Sequence, residues 1–143
     1  MGFTTPCFIL KNTPELRKKL EKLGYYLHPE CIDDDRGNYL FVNREYYLNR
    51  PLGYLEELSR SIDCGTNEEL FLSIASLRDD TDKYQWFIMD VEIYVYIPKG
   101  TWFQSTDRNG GRHVGTQIES LYCHKATVKE LIEHFKEKEV NHG

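Results

Sequence analysis

Three times along this chain a short apolar segment carrying a cysteine runs directly into a helix-start signal. Cys7 precedes Asn12-Thr13-Pro14-Glu15, with Thr13 or Asn12 as the N-cap, Cys64 precedes Thr66-Asn67-Glu68-Glu69, and Cys123 precedes Thr127-Val128-Lys129-Glu130. A Thr or Asn side chain at the N-cap accepts a hydrogen bond from a backbone N–H that has no partner inside the helix. Pro14 suits the first helical position, where its missing N–H would be unpaired in any case. Thr66 with Glu69, and Thr127 with Glu130, have capping-box spacing. After the first signal, Leu16, Leu20 and Leu23 form one apolar stripe. Arg17, Lys18, Lys19, Glu21 and Lys22 are assigned to the wet face, and Gly24 to the left-handed position that closes a helix. The second helix is expected to bury Leu70, Phe71, Ile74 and Leu77 and to end near Arg78-Asp79-Asp80. The third is expected to bury Val128, Leu131, Ile132 and Phe135. The spacings between the units differ, so these are three strand-to-helix units and not a repeat.

Strand signals fill the remainder. Cys7 to Leu10 is a short apolar run, and Tyr25–Leu27 and Tyr39–Val42 flank the polar stretch Asp33-Asp34-Asp35-Arg36-Gly37-Asn38, which reads as a hairpin loop. Between Tyr84 and Ile97 aromatic and β-branched residues dominate. There Val91, Ile93, Val95 and Ile97 alternate with Glu92, Tyr94 and Tyr96, the pattern of a half-buried strand with a Tyr-lined outer face. Thr101–Ser105 and Ile118–Cys123 are further strands, and Leu52, Leu55 and Leu58 behind Pro51 sketch a short extra helix weakened by Gly53. The predicted fold class is α+β: one mainly antiparallel sheet with about three helices packed on one face. Residues 1–138 are assigned to a single globular domain and 139–143 to a frayed tail.

A chain of 143 residues fits one domain and buries roughly two-thirds of its unfolded surface, so no metal or disulfide is needed to hold it. The net charge of −5 argues against general nucleic-acid binding. Met1-Gly2-Phe3-Thr4-Thr5-Pro6 lacks the cationic and apolar regions of a secretory signal, and Pro6 stands where myristoylation needs Ser or Thr. The longest apolar runs, Trp86–Met89 and Tyr94–Ile97, are too short to span a bilayer. The expected location is the cytoplasm. Cys7, Cys31, Cys64 and Cys123 form no C-x-x-C pair, and the expectation is four reduced, buried thiols.

The stretches Gly2-Phe3-Thr4-Thr5-Pro6-Cys7-Phe8-Ile9 through Gly24-Tyr25, Asp63-Cys64-Gly65-Thr66-Asn67-Glu68-Glu69-Leu70-Phe71 through Trp86-Phe87, and His124 through Phe135 carry a resemblance. They are similar to small uncharacterised proteins of gut Bacteroidales genomes, their phages and their mobile elements. The resemblance covers about half of the chain. It implies a bacterial or phage cytosolic setting and an accessory role, and it carries over no catalytic residue.

Chemistry is most concentrated in Arg108-Asn109-Gly110-Gly111-Arg112-His113-Val114-Gly115. Arg108 and Arg112 offer guanidinium forks suited to phosphate or carboxylate, Gly110 and Gly111 let backbone N–H groups approach a ligand closely, and His113 adds a titratable group. The spacing is neither a P-loop nor a dinucleotide fingerprint, and a solvated hairpin loop is the plainer reading. The 10 Tyr, 7 Phe and 2 Trp are too many to be buried completely, and Tyr94, Tyr96 and Trp102 are candidates for an exposed stacking surface. Cys123 and His124 are adjacent, so on a strand they face opposite ways and cannot act as nucleophile and base; His124 is expected on a surface loop. His134 sits at the edge of the third helix's apolar face. Asp33-Asp34-Asp35 and Asp79-Asp80-Thr81-Asp82 read as solvated acidic turns, since the first fails the EF-hand pattern. No catalytic residue, metal ligand or cofactor is assigned.

Two function classes stand. The first is a non-enzymatic binding protein that uses Arg108, Gly110, Gly111, Arg112, His113, Tyr94, Tyr96 and Trp102 to hold a nucleotide-like anion or a host protein. In the setting the resemblance implies, that would be an accessory or anti-defence factor. The alternative is a small enzyme acting on a phosphorylated or nucleotide substrate, with Arg108, Arg112 and His113 as anion clamp and acid/base. A flat aromatic sheet face is also a surface that a homodimer or higher homo-oligomer would cover.

Overall fold

The computed structural model describes residues 2–27, 39–50, 59–82, 84–92, 97–105 and 122–142. Within them the chain runs β1 (Cys7–Ile9), α1 (Pro14–Leu23), β2 (Tyr26–Leu27), β3 (Tyr39–Asn43), β4 (Tyr46–Arg50), β5 (Ile62–Asp63), α2 (Glu68–Ala75), β6 (Trp86–Met89), β7 (Trp102–Gln104), β8 (Cys123–Lys125) and α3 (Val128–His142). The α+β class is as predicted, but the strands form two sheets where one was expected. One has the order β2-β4-β3-β1-β5 and mixed direction; the other is antiparallel, β7-β6-β8.

All three strand-to-helix units are present. At α1, Thr13 is the N-cap, its side chain accepting from the Leu16 N–H at 3.1 Å, and Gly24 closes the helix at φ 117°. A residue other than glycine would be strained at that angle, which is why the chain turns there. At α3 the capping box forms in full: the Thr127 N–H donates to Glu130 Oε1 at 3.0 Å, and the Glu130 N–H donates to Thr127 Oγ1 at 3.2 Å. At α2 the cap is Asn67 and not Thr66; Asn67 Oδ1 accepts from the Leu70 N–H at 3.1 Å. Asn67 also donates from Nδ2 to the Phe135 carbonyl at 3.3 Å, so one amide serves two helices. The helix stops at Ala75, earlier than expected, and Leu77 is buried from the turn that follows.

Two sequence expectations fail in and beside the first sheet. Tyr26–Leu27 does not pair with Tyr39–Val42 in a hairpin. It pairs in parallel with β4, and β3 turns into β4 through Arg44 and Glu45, with Arg44 at φ 60°. Arg-Glu lacks the Asn-Gly chemistry that marks a two-residue turn, so β4 has no local signal. Arg17 is the second correction: it is buried, not on the wet face. Its guanidinium donates to Asn12 Oδ1, and Asn12 Nδ2 donates to the buried Asn49 of β4 at 2.8 Å.

The main core lies between the Cys7, Ile9, Leu40, Val42 and Tyr47 face of the first sheet and the helices. It continues through Phe71, Ile74 and Leu131 to Ile88 of the second sheet. Burying each such side chain contributes roughly 1.5–3 kcal/mol in transfer free energy. Phe8, Tyr39, Phe41 and Leu48 form a second buried cluster on the opposite sheet face, and Phe87, Met89 and Cys123 a third beneath β6 and β8. The N-terminal segment is tied across the end of α2. Thr4 N–H donates to the Leu77 carbonyl, Asp79 N–H to the Gly2 carbonyl, and the Arg78 guanidinium lies 4.2 Å over the Phe3 ring. The predicted solvated turn 79–82 is therefore a set of tethers: Asp79 accepts from Gly2 N, Asp80 binds Arg78, and Asp82 pairs with Lys125.

In the second sheet Trp86 faces Gln104, and Ile88 faces both Trp102 and His124. Val91, expected to point inward from a strand, is exposed and lies past the end of β6; Ile93, Tyr94, Val95 and Tyr96 lie outside the described residues. So do the hairpin loop from Asp33, the Leu52–Leu58 segment, and Cys31. The backbone of α3 continues through the predicted tail to His142.

Candidate functional site

Helix α2 has two usable faces. Leu70, Phe71, Ile74 and Ala75 point into the core. Glu69, Leu72, Ser73 and Ser76, at i, i+3, i+4 and i+7, form a stripe on the other side. That stripe is one wall of a cleft of about 330 Å³, completed by Leu23 at the end of α1, Tyr84, Trp86, Gln104 and Phe135. The volume lies at the lower end of the range for small-molecule sites.

The cleft is built from elements held rigidly to one another. Gln85, fully buried, donates from Nε2 to the Ser76 carbonyl at 2.5 Å, tying the entry to β6 onto the end of α2. Tyr84 takes a left-handed conformation at φ 66°. Its N–H donates to the Ser105 carbonyl at 2.5 Å and its carbonyl accepts from Gln104 Nε2 at 3.1 Å, so the neighbouring strand holds it there. A non-glycine residue at this angle stores on the order of 1 kcal/mol of strain, a feature that clusters at functional sites. Trp86 is set edge-on to Phe135 at 5.9 Å between ring centres and to Trp102 at 6.2 Å.

Polar groups are few and specific. Ser76 Oγ donates to the Ser73 carbonyl at 2.8 Å. Ser73 is 8% exposed, and among the described residues nothing hydrogen-bonds its hydroxyl. Glu69, at the exposed rim, carries the one charge among the described lining residues, and no described residue pairs with its carboxylate.

Of the residues singled out from the sequence, Trp102 is described. It is half-buried in β7, stacked on His134 at 4.0 Å and 15°, one ring behind the cleft wall. Arg108, Gly110, Gly111, Arg112, His113, Tyr94 and Tyr96 lie outside the described residues. The cleft itself was missed. Its sequence signal is the pair of small polar residues, Ser73 and Ser76, on the second face of an otherwise apolar helix.

His124 is in β8, not in a loop, and faces away from buried Cys123 as alternation requires. Its Nδ1 lies 2.6 Å from Asp90 Oδ1, and its Nε2 lies 3.0 Å from both oxygens of Glu130. Hydrogen bonding to Glu130 is the main influence raising its pKa; partial burial opposes the rise and Asp90 adds to it. Both ring nitrogens are thus engaged by carboxylates. Cys7, Cys64 and Cys123 are buried, and no disulfide joins any two of them. Burial pushes the Cys7 thiol well above its ordinary value, and the Cys64 thiol beside it adds to the rise. Such thiols are poor nucleophiles.

Among the described residues no group of three or more His, Cys, Asp or Glu is placed to hold a metal ion, and no helix is long and apolar enough to cross a membrane. Comparison of the chain with protein-family models, with curated proteins and with solved structures yields no match.

Proposed function

We propose that this chain is a small binding domain that holds a compact molecule in the cleft between α2, α3 and the second sheet. The observation that carries the reading is the Ser73 hydroxyl: it belongs to a cleft-wall residue only 8% exposed, and no described residue hydrogen-bonds it. A ligand that reaches this hydroxyl exchanges water for a direct hydrogen bond, a net contribution of roughly 0.5–1.5 kcal/mol. Apolar walls from Leu23, Leu72, Trp86 and Phe135 around a few convergent polar groups are the usual composition of such a site. Binding is favoured over turnover because the His124 ring nitrogens are held by Asp90 and Glu130 and bond no hydroxyl or thiol among the described residues. In the setting that the sequence resemblance implies, the domain acts as an accessory factor that sequesters its ligand.

The test is a fragment titration followed by backbone amide NMR. Shifts are expected at Leu72, Ser73, Tyr84 and Gln104, and Ser73→Leu, which fills the wall, abolishes them while the remaining spectrum stays dispersed. Fragments that shift only residues elsewhere, or bind Ser73→Leu equally well, overturn the reading. The nucleotide-like anion expected at Arg108–His113 is a separate proposal. Arg112→Ala weakens such binding if it holds, and His113→Ala removes turnover with binding kept if the enzyme reading is correct.

A further inference from the structure

We infer that the cleft selects a flat aromatic molecule bearing a positively charged amine, an inference that rests on the cleft being the binding site. Three observations converge. The walls offer ring surfaces: Trp86 and Phe135 meet edge-to-face, and Tyr84 closes one side from a conformation fixed by the Ser105 and Gln104 contacts. Aromatic ligands gain from offset and edge-on contacts of this kind, and a ligand cation gains further over indole and phenol faces.

Charge supplies the second argument. Glu69 is the one ionised group among the described lining residues, and no described cation neutralises it. An ammonium entering the rim meets a carboxylate that no described residue pairs, whereas a carboxylate or phosphate meets like charge. The net charge of −5 acts in the same direction at longer range. The third argument is depth. Glu69 and Ser73 are four residues apart on one face of α2, so they lie about 6 Å, just over one helical turn, apart along its axis. A ligand that bonds the Ser73 hydroxyl at one end thus places its other end within reach of the Glu69 carboxylate.

The experiment compares three probes that share one ring system and differ in head group: tryptamine, indole and indole-3-acetate. Each is titrated into the intact protein and followed by the amide shifts of cleft residues. Tryptamine is expected to bind about 3- to 5-fold more tightly than indole, the effect of one partly exposed ion pair. Indole-3-acetate is expected to bind more weakly than indole. Glu69→Gln removes the tryptamine advantage, so that tryptamine and indole bind that variant alike, and Glu69→Lys reverses the order of the two charged probes. Equal affinity for all three, or tightest binding of indole-3-acetate, overturns this inference and leaves the cleft as a binding site. Failure of all three to shift any cleft residue overturns both.

Discussion

His124 Nε2 lies 3.0 Å from both carboxylate oxygens of Glu130, and that same carboxylate caps α3 by accepting from the Thr127 N–H. One side chain therefore joins β8 to the start of the helix that follows it, while Asp90 holds the other ring nitrogen from the end of β6.

This arrangement makes stability depend on pH. The folded-state pKa of His124 is raised above its unfolded value of about 6.5, mainly by Glu130. Its contribution is therefore fully present below about pH 6.5 and is lost as pH rises through the higher folded value. The groups are 35–43% exposed, so solvent screening keeps the contribution near 0.5 kcal/mol. Urea midpoints measured from pH 5.5 to 8.5 are expected to fall across this window in the native chain and to stay flatter in His124→Gln. A parallel fall in both would rule out the clasp as the cause.

Cap identity at α2 separates two adjacent residues. Asn67→Ala removes the hydrogen bond to the Leu70 N–H and the one to the Phe135 carbonyl, and should cost about 1–2 kcal/mol. Thr66→Ala should cost only a few tenths. Urea denaturation with an unchanged slope measures both, and equal losses would place the cap at Thr66.

Tyr25 donates from its hydroxyl to the Ala75 carbonyl at 2.6 Å, inside the core, and its ring stacks on Phe3 at 3.9 Å. Tyr25→Phe keeps the stack and leaves the carbonyl without that donor. The expected loss is about 1–2 kcal/mol in the same measurement, and a neutral substitution would show that the hydroxyl bond contributes nothing net.

Cys7, Cys64 and Cys123 should resist iodoacetamide in the native protein and react on unfolding. Peptide mass mapping after a timed exposure reads each site separately. Rapid labelling of Cys7 under native conditions would contradict both its burial and its raised pKa.

The parts legible in the sequence are those whose energy is local. Thr13, Pro14 and Gly24 bracket α1, and Thr127 with Glu130 starts α3, because a cap satisfies N–H groups only a few residues away. The exchange of Thr66 for Asn67 is a near miss of the same kind: both residue types cap well, and Asn67 alone bonds both the α2 start and the Phe135 carbonyl of α3. Arg17 was illegible. An arginine among lysines on a helix reads as solvated, whereas its guanidinium donates to Asn12, which in turn bonds the buried Asn49 on a strand with no local signal of its own.

By itself, the sequence determined the α+β class, the three strand-to-helix units with a cysteine in or just after each strand, and the inward stripes of those helices. Helical period and cap chemistry act over a few residues and do not depend on the rest of the chain. Tertiary structure alone decided that β2 pairs in parallel with β4, that the strands divide into two sheets, and that Leu23, Ser73, Trp86, Gln104 and Phe135 meet around one cleft. Strand pairing and cavities depend on contacts between residues far apart in the chain, and no short window of sequence contains the energies that choose among them.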